Sequence, residues 1–396
     1  MAVLLTATVP AQTTPARDTV VLTDGRELQG RVLRVDADTL LLRTGSTDRP
    51  LARADVRSYR SVAERHRALL AAFRATAADD PAALLALAEQ AERDDLPHEA
   101  RLFRWYAVLQ RPDDAAIHAA LGNRERSGRF HVELDGKQVP FAEADARGED
   151  FDDAWRLRSE HFAVRSAAGL RAGLDTLLAL EAFYHEFHAR FGDALSLLEL
   201  VEPIDVRLYR SREQMPNLSN TVGAYFDPDL PALFTFWQNG RAAALFHEGT
   251  HALLHWFFER AARARGALPA WLDEGWAEYM DGLADTRVPH KPVFRDRSVQ
   301  AAHLQTLAAA AQYDDLYGLH RVLNFKESDF GASTLQHVKY AQAWALFRHL
   351  WEHPETAARA TFVDYLRAAA AGKGQASTFR RMFDDRRERL EQEAFR

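Results

Sequence analysis

The chain has 396 residues, 47% hydrophobic and 27% charged, enough apolar material for roughly two or three domains. Its net charge is −7 with no long basic tract, which argues against nucleic acid as a partner. It contains no cysteine, so disulfides, iron–sulfur clusters and thiolate nucleophiles are excluded, and any metal must be held by His, Asp or Glu.

Residues 1–16, "MAVLLTATVPAQTTPA", run from an apolar stretch through "VPA" into polar residues, the pattern at the end of a secretory signal peptide. The basic opening of such a peptide is missing. An extracytoplasmic location (periplasmic, secreted or cell-surface) is expected on that pattern. No uninterrupted apolar run of about 20 residues follows, so no transmembrane segment is expected.

Over 17–60 the pattern is β: short Val/Leu-rich runs are separated by Asp24-Gly25 and by Asp36-Ala37-Asp38, both hairpin-type turn signals. The strands resemble a small SH3-like or Sm-like β-barrel, a packing module with no ligand of its own. Over 61–127 the period turns helical. "SVAERHRALLAAFRA", "PAALLALAEQAER", "PHEARLFRWYAVLQ" and "DDAAIHAALG" are Ala/Leu-rich and set off by Pro or Asp at positions suited to helix starts. Pro81 and Pro112 hint at a helical-hairpin repeat, weakly like tetratricopeptide units, and the segment reads as a spacer or docking layer. Residues 128–158 are polar, Gly-containing and acidic, suiting a linker with one hairpin.

From 159 to 396 the pattern alternates strand and helix. "HFAVRS" reads as a strand, about 168–191 as a long amphipathic helix, and "PIDVRLYRS" and "PALFTFWQ" as further strands. The final "RRMFDDRRERLEQEAFR" alternates charge like a solvated helix face and carries no assigned function. The fold class expected is therefore α+β and multidomain.

The chemistry concentrates in "LFHEGTHALLHWFF", where an apolar run carries three histidines and a glutamate that burial would penalise unless they found partners. His247 and His251 stand at i and i+4, one turn apart on one helix face, so both imidazoles reach a single ion. Glu248 is rotated by about 100° from His247, placed to touch a water on that ion without ligating it. This His-Glu-x-x-His pattern resembles the two-histidine helix of zinc peptidases. Asn239-Gly240 before it, arginines at 260, 263 and 265 and then Gly266 are suitable helix ends. A catalytic zinc of this kind needs a third protein ligand and one open position. The place six residues after His251 holds Phe257, and His255 reads as a helix-surface or bracing group rather than a ligand.

Downstream, "PAWLDEGWAEYMDGL" resembles the Trp-Leu-Asn-Glu-Gly-Phe-Ala segment of the gluzincin metallopeptidases. The resemblance implies that Glu274 is the third ligand. Glu278, one turn on, is the runner-up and is expected instead to brace a ligand histidine. His251 and Glu274 are separated by 22 residues. That is about four more than in the aminopeptidase branch, or about one helical turn, so the two helices still face each other. "VKYAQAWALFRHL" is similar to the tyrosine-bearing helix of that branch. Its match is Tyr340, the implied oxyanion donor, with His337 as the fallback.

The aminopeptidases also carry a Gly-Ala-Met-Glu-Asn strand whose Glu binds a free amino terminus. Here "TVGAYFDPDLPALFTFWQ" keeps Gly223 and Ala224, then has Tyr225 and no Glu. Gly223, Ala224 and Tyr225 are expected to border an extended substrate by β-addition. "HFAVRS", "GAYF", "HEGTHALL" and "WLDEGWAEY" together are similar to exported bacterial proteins of uncharacterised function with a peptidase-MA-like domain. The implied function is a metallopeptidase, endo- rather than aminopeptidase, acting on a peptide or protein with one Zn²⁺ and Glu248 as general base. The alternative is a catalytically silent binding or scaffold protein on the same fold.

Overall fold

A computed structural model describes residues 18–77, 79–216, 223–259, 268–331 and 334–395. The stretch read as a signal peptide, and the helix-end residues Arg260, Arg263, Arg265 and Gly266, lie outside the described residues. The chain divides into two compact units, 1–121 and 122–396.

In the first unit, β1 (Asp18–Leu22), β2 (Glu27–Val35), β3 (Thr39–Thr44), β4 (Thr47–Ala52) and β5 (Val56–Arg60) form an antiparallel sheet in the order β4-β3-β2-β1-β5. The turn signals act as expected. Gly25 takes a φ of 88°, and Asp36 Oδ1 accepts the amides of Asp38 and Thr39. Val20, Leu22, Val32, Leu40, Leu42, Leu51 and Val56 alternate inward and make the core of the sheet. Helices α1 (Val62–Ala75), α2 (Pro81–Arg93), α3 (Pro97–Gln110) and α4 (Ala115–Ala120) follow. Ser61, Asp80 and Asp114 each accept amides of the first turn of the helix they precede, which is why these helices start where they do.

The second unit begins earlier than the sequence pattern indicated. Residues read as the end of the helical segment and as a linker form an antiparallel sheet of β6 (Arg124–Arg126), β7 (Arg129–Leu134) and β8 (Lys137–Pro140), then α5 (Phe141–Arg147) and β9 (Trp155–Arg158). The polar surfaces of β6, β7 and β8 hide a period of two in which only Val132, Leu134 and Val139 turn inward.

β9 opens the main sheet, ordered β12-β13-β11-β10-β9, with β10 (Phe162–Ser166), β11 (Ile204–Tyr209), β12 (Tyr225–Asp227) and β13 (Ala232–Gln238); β14 (Arg241–Ala242) pairs with β13. The three central strands β10, β11 and β13 run parallel, and β9 and β12 are antiparallel edges. The 26-residue α6 (Leu170–Leu195) connects β10 to β11 and packs on β9 and β10. Beyond the sheet come α7 (Leu245–Leu254), which continues as a π-helical turn over His255–Glu259, then α8 (Ala270–Asp281), a helix over Ala301–Gln312, and α9 (Gln336–Trp351). Trp276 of α8 stacks on Phe187 of α6 with ring centroids 5.7 Å apart and meets Phe347 of α9 at 5.2 Å. Aromatic burial of this kind dominates core energetics and fixes the mutual placement of α6, α8 and α9.

The C-terminal segment corrects its sequence reading. The helix α10 (Arg387–Phe395) is not a free solvated face: Leu390 and Phe395 are buried, and Glu391 Oε2 accepts the Leu319 amide. Among the described residues no helix is long and apolar enough to cross a membrane.

Candidate metal centre

His247 and His251 project from one face of α7, as their spacing requires, and their Nε2 atoms lie 3.2 Å apart. Glu274, in the first turns of α8, completes the cluster: its Oε2 is 3.4 Å from His247 Nε2 and 3.6 Å from His251 Nε2. That oxygen is buried and makes no hydrogen bond. Three ligand atoms around a tetrahedral zinc, with bonds of about 2.0–2.1 Å, lie about 3.3–3.4 Å from one another. The three measured edges bracket that spacing, so the residues present fit a zinc ion.

The outer nitrogens are held by carboxylates. His251 Nδ1 is 3.0 Å from Asp273 Oδ1, and His247 Nδ1 is 3.4 Å from Glu278 Oε1. Assigned from these partners, Nδ1 carries the proton on each ring and Nε2 turns its lone pair to the common point. Glu278 is itself anchored by His303, whose Nε2 approaches Oε2 at 2.8 Å. This is the carboxylate–histidine arrangement that orients metal-binding imidazoles and raises their basicity.

The imidazoles and carboxylates of the cluster act strongly on one another. Burial would raise Glu274, but the His247 and His251 rings outweigh it and hold the carboxyl at about 2. Burial would likewise lower the two histidines, but His247 is driven well above its ordinary value by Glu274 and Glu278, and His251 by Asp273 and Glu274.

Glu248 is buried beside the pair, and burial raises its carboxyl. Its Oε2 accepts the Phe226 amide at 3.0 Å, so the edge strand β12 reaches the site through its backbone. Tyr340, on α9, has its ring centroid 6.3 Å from that of His247. Burial, with Glu274, Glu278 and Glu248 nearby, pushes its phenol far up, so it remains a donor. Tyr340 and His337 both line a cavity of about 400 Å³ together with Glu278, His303 and Gln336.

Of the residues expected to border a substrate, Gly223 is exposed, Ala224 is buried, and Tyr225 stacks on Phe234 with centroids 4.6 Å apart. It is the next residue, Phe226, that touches the centre. His255 stands apart from the ligand cluster, with its ring 5.2 Å from Phe226, and Phe257 packs on Phe187. Sequence reasoning missed Asp273 and His303. Asp273 had a signal, since it directly precedes the ligand candidate on a helix and so sits about 100° around from it. His303 had none, because only the fold returns that helix to Glu278.

Residues 241–374 match a family described as a protein of unknown function, DUF1570. The matched stretch contains His247, Glu248, His251, Glu274, Glu278 and Tyr340. No curated protein and no solved structure matches the chain.

Proposed function

We propose that the protein is a zinc-dependent peptidase of gluzincin type that cleaves peptide bonds within chains. The observation that carries this reading is the triangle of His247 Nε2, His251 Nε2 and Glu274 Oε2, with edges of 3.2, 3.4 and 3.6 Å and a buried carboxylate oxygen left without a hydrogen bond. Zinc bound by such a set acts as a Lewis acid on a carbonyl and lowers the pKa of water towards 7.

The chain's own groups supply the rest. Glu248, with one oxygen tied to Phe226 N–H, takes the proton of the attacking water and passes it to the leaving amine. Tyr340 donates its phenolic hydrogen to the oxygen that gains charge as the carbonyl becomes tetrahedral. Asp273 and Glu278 keep the two imidazoles in one tautomer and one orientation. The edge strand β12 offers backbone groups to an extended peptide.

Internal cleavage is favoured over amino-terminal trimming because the β12–β13 stretch holds no glutamate to receive a free amine. Its Asp227 is engaged in its own turn, accepting the amides of Asp229 and Leu230. An extracytoplasmic location, from the N-terminal pattern, belongs to the same proposal.

The test is a digest of a mixed peptide library mapped by mass spectrometry, with wild type, Glu248→Gln and a chelator control. Internal cuts that survive N-terminal acetylation and vanish in E248Q are expected. Tight zinc binding that His247→Ala abolishes, with no cleavage of any peptide, would instead mark a silent binding protein, and trimming confined to free N-termini would mark an aminopeptidase.

A further inference from the structure

The end of α9 repeats the pattern of the first centre. His349, in the last turn of α9, and His353, two residues beyond its end, stand at i and i+4, and Glu393 reaches them from α10. The ring centroids of this histidine pair are 5.0 Å apart with planes at 87°, against 4.9 Å and 73° for His247 and His251. His349 Nε2 lies 3.5 Å from Glu393 Oε2, within the range of His–Glu spacings at the first centre. Of the three residues each offers one ligand atom, and the three atoms lie within 4.8 Å of one another. His349 Nε2 is a buried atom with no hydrogen bond. The group borders a cavity of about 710 Å³, also lined by Arg348, Glu352 and Glu391, which gives an ion a way in.

We propose that His349, His353 and Glu393 form a second site for a divalent transition cation, zinc being the natural occupant of a two-imidazole, one-carboxylate set. This rests on its own geometry and not on the peptidase reading. The ion would tie the C-terminal helix α10 to the end of α9, a structural clamp remote in sequence from the first ligand set.

Two contacts must yield to the ion. His353 Nδ1 accepts the Glu355 amide at 3.0 Å, and Glu393 holds Arg389 at 2.6 Å. At the first centre the outer nitrogens face carboxylates; here His353 meets a backbone donor instead. The second site is therefore the weaker of the two.

The experiment is calorimetric titration of the full chain with Zn²⁺ alone after chelator stripping, at constant pH. Wild type takes two ions per chain, one tight and one weak. His349→Ala and the surface change Glu393→Gln each remove the weak ion and leave the tight one. His247→Ala removes only the tight one. Arg389→Ala, which deletes a competitor for Glu393, tightens the weak site several-fold. A wild-type chain that takes a single ion, or H349A and E393Q chains that still take two, would overturn the assignment.

Discussion

Replacing Gly275 by alanine probes what aims Glu274. Gly275 follows the carboxylate on α8 and lies against α9: a Cβ built there would sit 2.4 Å from the Ala343 carbonyl oxygen, 2.8 Å from its carbon and 3.3 Å from Phe347 Cβ. Backbone cannot swing aside as a side chain does, so α8 must withdraw by at least about 0.6 Å to reach the 3.0 Å that real Cβ contacts require. Alanine gains about 1 kcal/mol of helix propensity over glycine, whereas overpacking a tight core costs about 1–3 kcal/mol. The expected net loss is about 1 kcal/mol. The larger effect is geometric. A coordination bond is only about 2.0–2.2 Å long, and a shift of this size draws Glu274 away from both imidazoles. We expect zinc affinity to fall roughly tenfold, the low end of the loss seen when groups that orient ligands are removed. Chelator competition measures the affinity and thermal unfolding the stability. G275A with wild-type zinc affinity would refute the argument that the α8–α9 approach positions the carboxylate.

The other predictions concern the groups around the centre and one distant histidine. Glu248→Gln should lower cleavage by about 10²–10⁴ while one tight zinc remains, read by turnover beside metal analysis. Tyr340→Phe should cost about 3 kcal/mol in kcat with zinc affinity unchanged, as the loss of one oxyanion donor does. Asp273→Asn, which removes the charge facing His251 Nδ1, should weaken zinc by about 10–100-fold in the same chelator competition. His290 is buried, and burial with Arg171 and Lys291 lowers it from 6.5 to about 4. Between those values the unfolded chain binds the proton and the folded chain does not, so the contribution is present above pH 6.5 and is lost as pH falls towards 4. Its ceiling is about 3 kcal/mol, and His290→Asn should flatten the acid limb of the stability curve by a measurable part of that.

The sequence exposed what depends on short-range periodicity. The i, i+4 histidines, the capped helices α1, α2 and α4 and the Asp-Gly turn all follow from rules acting within a few residues, and the structure has them in place. The approach of Glu274 was readable only through its motif, because nothing local says which helix packs on α7. Hidden altogether were contacts made by return of the chain: His303 on Glu278, the Phe226 amide on Glu248, and Glu393 beside His349. The polar stretch after Gly128 misled for a different reason. The strands β6, β7 and β8 are short and mostly exposed, with three inward residues too few to stand out from a linker.

The proposed centre is three side chains sharing one ion, and anomalous diffraction at the zinc edge from crystals grown with zinc tests it most directly. A peak within about 2.2 Å of His247 Nε2, His251 Nε2 and a Glu274 oxygen is predicted. Density at the histidine pair with Glu274 turned away and no other carboxylate in its place, or no peak there at all, would contradict it.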